Sequence, residues 1–547
     1  MREAEEYLYK GYWGNQVLGD IFDFSVRDYP DSPAMVQGER RITYAEFGKM
    51  VNRLSLKFLE MGIGKDDFVV IVLPNCPEYA FFHYAVVKVG AVNVPMVHTQ
   101  KVHEISYVVD LVKARTLVIS SGIIKYDFIQ MANEIRETRP FLENVIVVGE
   151  PPHNPDMIPF QNLISEPVAN EENPETLLKV RPRGTDMARI ILSAGTTGPP
   201  KAAIRTHNDI VASLKWDAIS HDWGDNLLLL FAFGHTTGNF MALDIQVSQG
   251  NRITLLSGDF STEKVFGLIE RERVTSMWMP APILFSIAQD LQENPQLTYK
   301  YNLNSFEKFV FGGAQASPEI IRIVKEATGR PLLQTWGMAE GANASALITD
   351  PPDVQAFTVG KIQCPEAKVK AIDQNGKAVP TGSPGELIYK GPFLFAGYYK
   401  DPDLTQKSID EEGYFHSGDQ VVLDPHGNIK IVDRLKDIIR RGGEPISPAE
   451  IEDLILRHEE VAEVAVVGMP DRRMVEKVCA YVVPKADCAL TFGDIIDFLK
   501  DKKIATFKLP ERIEFIDRLP RGPQKGNILK KELKEDIIKK LKAENKI

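Results

Sequence analysis

Two periodicities alternate along the first half of the chain. Apolar positions recur at helical spacing over Tyr44 to Met61, and a second helix is predicted from Glu78 to Val89. Between and after them stand short, continuous apolar runs. Phe68 to Leu73 reads as a buried strand and Ala91 to Val97 as an extended segment. Thr116 to Ser120, Asn144 to Val148, Arg189 to Leu192, Asn226 to Phe231, Arg252 to Leu255 and Ser276 to Met279 repeat the strand pattern. Strands apolar on both faces and separated by helices predict an α/β protein built on parallel sheets. The stretch from Gly149 to Pro174, rich in Pro, Asn and acidic residues, predicts a surface connection.

From about Gly360 the pattern changes. Val369 to Ile372, the turn Gln374-Asn375-Gly376 and Gly385 to Lys390 read as a hairpin, and Pro425-His426-Gly427-Asn428 as a second turn. Beyond Asp433 the chain predicts a separate α+β unit. The Gly442-Gly443 turn leads to a helix from Pro448 to Arg457, strands at Val461 to Val467 and Val478 to Val483, and a helix from Phe492 to Lys500. The Lys-rich tail from Arg521 reads as a helix with a solvated face.

Composition narrows the class. The 547 residues are 44% hydrophobic and 25% charged, those of an ordinary globular protein. At roughly 150 residues per domain, three or four folding units are expected. Acidic residues outnumber basic ones, 75 to 64, which argues against a nucleic-acid partner. The four cysteines, Cys76, Cys364, Cys479 and Cys488, form no C-x-x-C and stand at no zinc-ligand spacing, so reduced thiols are expected. The first thirty residues carry no apolar core of a secretory signal, and the longest apolar run, Leu227 to Phe233, is too short to span a bilayer. A soluble cytoplasmic protein is expected.

The candidate chemistry begins after the strand Arg189 to Leu192. Ser193-Ala194-Gly195-Thr196-Thr197-Gly198-Pro199-Pro200-Lys201 combines small residues that let backbone wrap phosphate oxygens, hydroxyl donors and one cation. The spacing is not that of a P-loop. The same segment resembles the signature loop of the adenylate-forming superfamily, which holds acyl-CoA synthetases, aryl-acid adenylating enzymes and luciferases. Ile42 to Phe47, Lys88 to Ala91, Trp336 to Glu340, Gly385 to Leu387, Phe395 to Tyr399, Ser417 to Asp419 and Arg434 to Asp437, running on to Gly442-Gly443-Glu444, resemble family motifs in the expected order. The likeness covers about residues 20 to 535 and is strongest toward aromatic or alicyclic carboxylate–CoA ligases.

The resemblance implies a fold. It consists of a large N-terminal body, residues 1–433, of two stacked βαβ-type sheets plus a distorted β-barrel, and a small mobile α+β lid, residues 434–547. It also implies a reaction in two steps: a carboxylate attacks the α-phosphate of Mg-ATP, and a thiol then displaces AMP. Both steps concentrate negative charge, so the site needs preorganised donors and cations more than a general base. Mg²⁺, ATP and CoA are then substrates, with no tightly bound cofactor. The partners expected are a small carboxylic acid, ATP and CoA, with a homodimer possible and no membrane span.

Family position assigns roles. Ser193, Gly195, Thr196, Thr197, Gly198 and Lys201 would hold phosphates, and Glu340 with Thr196 the magnesium ion. Trp336 would stack on adenine, with Gly313, Ala314, Gln334, Thr335, Gly337 and Met338 around it. Asp419 and Arg434 would take the ribose hydroxyls. His235, Thr236, Asn239, Phe240, Gly312 and Gly337 would form the acyl pocket, with His235 orienting the carboxylate or gating the thiol channel. Lys436 would be the hinge, and Arg441, Gly442, Gly443 and Glu444 one wall of the CoA tunnel.

Three positions depart from the family pattern. Ala194 replaces a loop hydroxyl and Ala339 a common Thr. The third is the catalytic lysine of the C-terminal P-x-x-x-x-G-K motif. Pro520-Arg521-Gly522-Pro523-Gln524-Lys525-Gly526-Asn527 carries one extra residue and puts Asn527 at its position. Either Lys525 replaces it through a shifted loop or the site lacks that cation, which costs about 3–4 kcal/mol in an adenylation transition state. Three functions follow. The first is an AMP-forming ligase joining a small cyclic (aromatic or cyclohexane-type) or medium-chain acid to CoA. The second is an aryl-acid adenylating enzyme of the 2,3-dihydroxybenzoate or salicylate type, loading a carrier protein. The third is a weakly catalytic acyl-AMP-binding protein.

Overall fold

The computed structural model describes residues 2–169, 175–193, 200–220, 223–314, 316, 318–434, 438–485, 488–521 and 528–547. Among them the chain forms four sheets. The first, of eight strands, runs in the order Asn343–Ser345, Leu332–Gly337, Lys308–Gly312, Ser276–Pro280, Asn226–Leu229, Arg252–Leu255, Pro33–Gln37, Arg40–Thr43. The second runs Gly397–Tyr398, Lys201–Thr206, Met187–Ser193, Val92–Pro95, Phe68–Val72, Thr116–Ser121, Asn144–Gly149, Ile158–Pro159. Their central strands pair in parallel, as double-sided apolar runs predict.

The helix Pro77–Lys88 lies in the core shared by these sheets and is buried on every side. Its continuous apolar composition is the reason, because a helix covered all round needs no polar stripe. Its terminal lysine is paired: Lys88 Nζ donates to Asp23 Oδ1 at 2.6 Å and Asn52 Oδ1 at 2.8 Å. The helix Tyr44–Glu60 begins on a capping box, with Thr43 Oγ1 accepting from the Glu46 amide and Glu46 accepting from the Thr43 amide.

A four-stranded antiparallel sheet, Lys368–Ile372, Pro384–Lys390, Phe415–Leu423 and Ile429–Arg434, occupies the place of the expected barrel. The fourth sheet draws all its strands from residues 439 to 515 around the long hairpin Val461–Asp471 and Val475–Pro484, with Arg512–Phe515 added in parallel. The C-terminal helix Lys530–Ala543 packs on that hairpin through Leu533, Ile537 and Leu541. No described helix is long and apolar enough to cross a membrane.

Two elements differ from the sequence expectation. The connection 149–174 contains the short edge strand Ile158–Pro159 and the helix Phe160–Ser165, whose Phe160 and Leu163 enter the core. Six residues are too few for a periodic signal. The segment Lys201–Thr206 is an antiparallel strand returning against Met187–Ser193, so the two described ends of the phosphate-loop motif, Ser193 and Lys201, are cross-strand partners.

Candidate active site

One cleft of about 270 Å³ collects residues from both large sheets and from the C-terminal unit. The side expected to take the nucleotide starts at that strand pair. Ser193 and Lys201 are the last described cross-strand pair, and both line the cleft. Gly195, Thr196, Thr197 and Gly198 lie outside the described residues. Lys201 Nζ stands 5.3 Å from the centre of the Tyr398 ring.

Tyr398 connects this cation to the acidic centre. Its phenol donates to Glu340 Oε1 at 2.7 Å, and burial with the neighbouring Glu340 charge pushes that phenol up, so it stays a donor. The Glu340 carbonyl accepts from the Phe395 amide at 2.9 Å. Gly341 follows at φ +122°, and a side-chain carbon there would lie 2.0 Å from the Phe393 carbonyl oxygen. Glu340 is therefore held from three sides by backbone and phenol. Arg205 backs the same loop: its Nη1 donates to the Ala339 carbonyl at 3.3 Å and its Nε to Asp209 at 2.5 Å. A carboxylate with one oxygen so engaged keeps lone pairs for a hard cation. No cluster of three or more potential ligands exists among the described residues, so such a cation would draw its remaining ligands from phosphate and water.

Trp336, Thr335, Gly337 and Met338 line the cleft beside Glu340. Trp336 Nε1 donates to Asp419 Oδ2 at 2.8 Å, and the indole meets Tyr389 edge-on. Several expected wall residues stand elsewhere. Asp419 is fully buried and absent from the cleft wall, its Oδ2 accepting from Trp336. Asp419 and Arg434 are backbone partners across adjacent strands. Gln334 is buried in its strand and absent from the cleft wall. Gly312 and Ala314 are likewise absent from the cleft wall, and Gly313 is exposed beside the 440–443 turn, its carbonyl accepting from Arg440 Nη1 at 3.4 Å.

The side expected to take the acid is aromatic. Trp223, His235, Phe240 and Trp278 line it together with Thr236, Met241 and Ile210. Trp223 and Trp278 meet edge to face at 5.2 Å, and His235 stacks on Phe231 at 5.5 Å. His235 Nδ1 accepts from the Thr237 amide at 3.2 Å, and burial pushes its imidazole down to about 4, so it works neutral. Asn239 was expected in this pocket, yet it is fully buried behind the wall and donates to the Phe233 carbonyl at 3.3 Å. Asn239 opens the π-helix Asn239–Gln246, all eight residues of which are buried.

The C-terminal unit closes the cleft with Ile438, Glu444, Pro445, Glu450, Phe507 and Lys508. Gly442 and Gly443 form the turn behind Glu444 at φ +64° and +92°, and a side-chain carbon at Gly443 would lie 3.1 Å from Pro280. Arg441 points away and pairs with Glu511 at 2.6 Å. Burial raises the Glu444 carboxyl to about 7. Lys508, buried, is shared between Glu450 at 2.6 Å and Glu104 at 3.1 Å, so a charge cluster ties the small unit to the body. Lys436, Lys525 and Asn527 lie outside the described residues.

Sequence reasoning missed Arg205, Glu104 and Lys508, and quoted Tyr398 within a motif without giving it a role. Arg205 has a partner at a regular spacing, Asp209 at i+4, but the others do not: Tyr398 and Glu340 are 58 residues apart, and Ala505, whose amide donates to Glu104, is 401 residues from it.

Residues 22–399 match the AMP-binding enzyme family, and residues 450–527 its AMP-binding enzyme C-terminal domain. A 2-hydroxy-7-methoxy-5-methyl-1-naphthoate–CoA ligase of Streptomyces carzinostaticus is 31% identical over 97% of this chain and 95% of its own length. A 2,3-dihydroxybenzoate-AMP ligase of Bacillus subtilis (strain 168) is also 31% identical, over 99% of this chain and 97% of its own. The amide bond synthetase McbA from Marinactinospora thermotolerans shares the fold, with a TM-score of 0.80 at 24% identity, covering 95% of this chain and 99% of that one. With both of its units matched and relatives aligned end to end, the chain belongs to the adenylate-forming, AMP-binding enzyme family, close to the aromatic carboxylate ligases.

Proposed function

We propose that the protein is an AMP-forming carboxylate–CoA ligase acting on a small cyclic acid, aromatic or cyclohexane-type. The observation that carries this is the single cleft in which Ser193, Lys201 and Glu340 share one wall system with an aromatic acyl side, closed by Glu444 and Pro445 of the C-terminal unit. Aromatic walls favour flat or ring-shaped apolar bodies over long flexible chains.

In the first step a carboxylate oxygen attacks the α-phosphorus of ATP, the new P–O bond forms and diphosphate leaves. Lys201 balances phosphate charge, and Glu340, steadied by Tyr398, holds the magnesium ion that travels with ATP. Neutral His235 orients the acid without adding a charge the acyl side would have to bury. In the second step a thiol sulfur attacks the acyl carbonyl, its proton passes to solvent and AMP leaves. Gly442 and Gly443 let the thiol arm approach closely, because no side chain stands there.

A second reading rests on the dihydroxybenzoate-AMP ligase among the relatives: the thiol acceptor would be a phosphopantetheinyl carrier protein instead of CoA. The test is diphosphate release from Mg-ATP over benzoates, cyclohexane carboxylates and medium-chain fatty acids, followed by acceptor assays. Ring acids with CoA should give AMP and thioester. Acyl transfer to a carrier protein but not to CoA supports the second reading, and no diphosphate release with any acid overturns both.

A further inference from the structure

Three segments that reach the cleft wall are tied together behind it by a closed ring of polar groups. Arg189, on the strand Met187–Ser193, lines the cleft and is 3% exposed. Asp244, on the π-helix Asn239–Gln246, is 1% exposed and absent from the wall. Arg189 Nη2 donates to Asp244 Oδ1 at 2.8 Å, and Nη1 stands 2.7 Å from Oδ2. His83, fully buried on the helix Pro77–Lys88, backs the carboxylate with its Nε2 3.5 Å from Asp244 Oδ1. Asn93 Nδ2 is 2.9 Å from His83 Nδ1, and Asn93 is itself the register partner of Arg189 across parallel strands. Burial alone would raise the Asp244 carboxyl, but Arg189 and His83 hold it below its usual range, and burial lowers the His83 imidazole. The ring thus holds one cation, one anion and a neutral imidazole.

Both strands and the π-helix carry wall residues. The strand of Arg189 ends at Ser193, the position expected to meet phosphate. The strand of Asn93, Val92–Pro95, runs on into Pro95 and Met96 of the wall. The π-helix of Asp244 supplies Phe240 and Met241. A second fixed point lies at Gly234, where a side-chain carbon would stand 2.1 Å from the Met96 carbonyl oxygen. Stability alone does not call for charges here. Replacing a buried ion pair by apolar residues of similar volume is often neutral or stabilising, because desolvation offsets the attraction. What the pair supplies beyond apolar packing is direction, since a planar guanidinium meets a carboxylate in few geometries.

We propose that Arg189 and Asp244 are positioning residues for acid activation. Their pair holds the π-helix wall that takes the acid in register with the strand that ends at Ser193, so that the carboxylate is presented to the α-phosphorus. Asp244 acts wholly through Arg189, and Arg189 through the segments it joins. This role rests on the acid-activating reading above. A misplacement of about 1 Å from a change remote from the chemistry can slow a reaction roughly a hundredfold.

The test uses the purified full chain with Mg-ATP and the benzoate, cyclohexane carboxylate or medium-chain fatty acid that gives the fastest diphosphate release. Arg189→Met combined with Asp244→Leu removes both charges together and keeps the apolar volume. The melting temperature of this double variant should stay within about 3 °C of wild type, as for other buried pairs replaced whole. Per folded molecule, kcat should fall about thirtyfold or more and KM for the acid should rise. KM for ATP should stay within about threefold, because Trp336 and Glu340 are braced separately by Asp419 and Tyr398. Asp244→Asn, at a position outside the wall, should lower kcat about tenfold through the loosened Arg189. Wild-type kcat and acid KM in the folded double variant overturn this inference. So does a double variant that melts far below wild type, which would make the pair a support of the fold alone, and so does a loss carried by KM for ATP alone. Wild-type kinetics in Asp244→Asn also overturn it, because Arg189 would then act on the acid directly. Each of these outcomes leaves the ligase reading intact, whereas absence of diphosphate release by the wild-type chain with every acid overturns both.

Discussion

Glu340 is set by its neighbours more than by its own type. A carboxylate reached by one phenol at 2.7 Å, on a loop that Gly341 permits and Arg205 braces, presents its remaining oxygen in one direction. Tyr398→Phe removes that hydroxyl and keeps the ring. A hydrogen bond to a charged group contributes about 1.5–3 kcal/mol, so adenylation should slow roughly ten- to a hundredfold while the melting temperature changes little. Diphosphate release with a good acid, next to a thermal melt of the same sample, measures both. The motif residue Glu340 was legible in the sequence, whereas the role of Tyr398 was not, because the two approach only once Gly397–Tyr398 pairs with Ala203 and Ile204. Asp419 shows the opposite case: its motif was plain, but its carboxylate accepts from Trp336 in a buried contact no spacing rule describes.

The elements that meet at the cleft come from distant parts of the chain, and their junction is electrostatic. Glu104 opens the helix Val102–Val112 and accepts from the Lys101 amide at its start and from the Ala505 amide of the small unit. Lys508 lies between Glu104 and Glu450. Replacing it as Lys508→Met leaves two largely buried carboxylates without their shared cation, a loss worth about 3–5 kcal/mol for buried charges. The small unit should then detach. Thioester transfer from preformed acyl adenylate should fall about tenfold or more, with adenylation less affected, and small-angle scattering should report a more extended particle. Wild-type dimensions and transfer rates in the variant would show the cluster to be incidental. The long hairpin Val461–Asp471 and Val475–Pro484 and the helices around it were readable from periodicity, but this junction was not, since it joins a helix start and a loop about 400 residues apart.

For the whole molecule, Glu444 couples solvent acidity to the meeting of the two units. Its carboxyl is raised from 4.5 to about 7 while it lies in the cleft. Between those values the docked arrangement holds a proton that a solvent-exposed carboxyl would have released. Docking is therefore favoured below about pH 7 and weakens as pH rises through that value. Donor and acceptor dyes placed on the body and the small unit, followed from pH 5.5 to 8.5, should show falling transfer efficiency, and Glu444→Gln should flatten the curve. A flat wild-type profile would remove Glu444 from the linkage. By itself the sequence determined the α/β class, many of the strand and helix positions and the family's motifs, because apolar periodicity and motif spacing are local properties of the chain. Tertiary structure alone decided which side chains meet in and around the cleft: the phenol on Glu340, the indole on Asp419, the buried pair of Arg189 and Asp244 and the charge cluster between the two units. Such contacts depend on distances through space between segments that share no sequence neighbourhood, and on burial, which sets the charge state of each group only after the chain has closed around it.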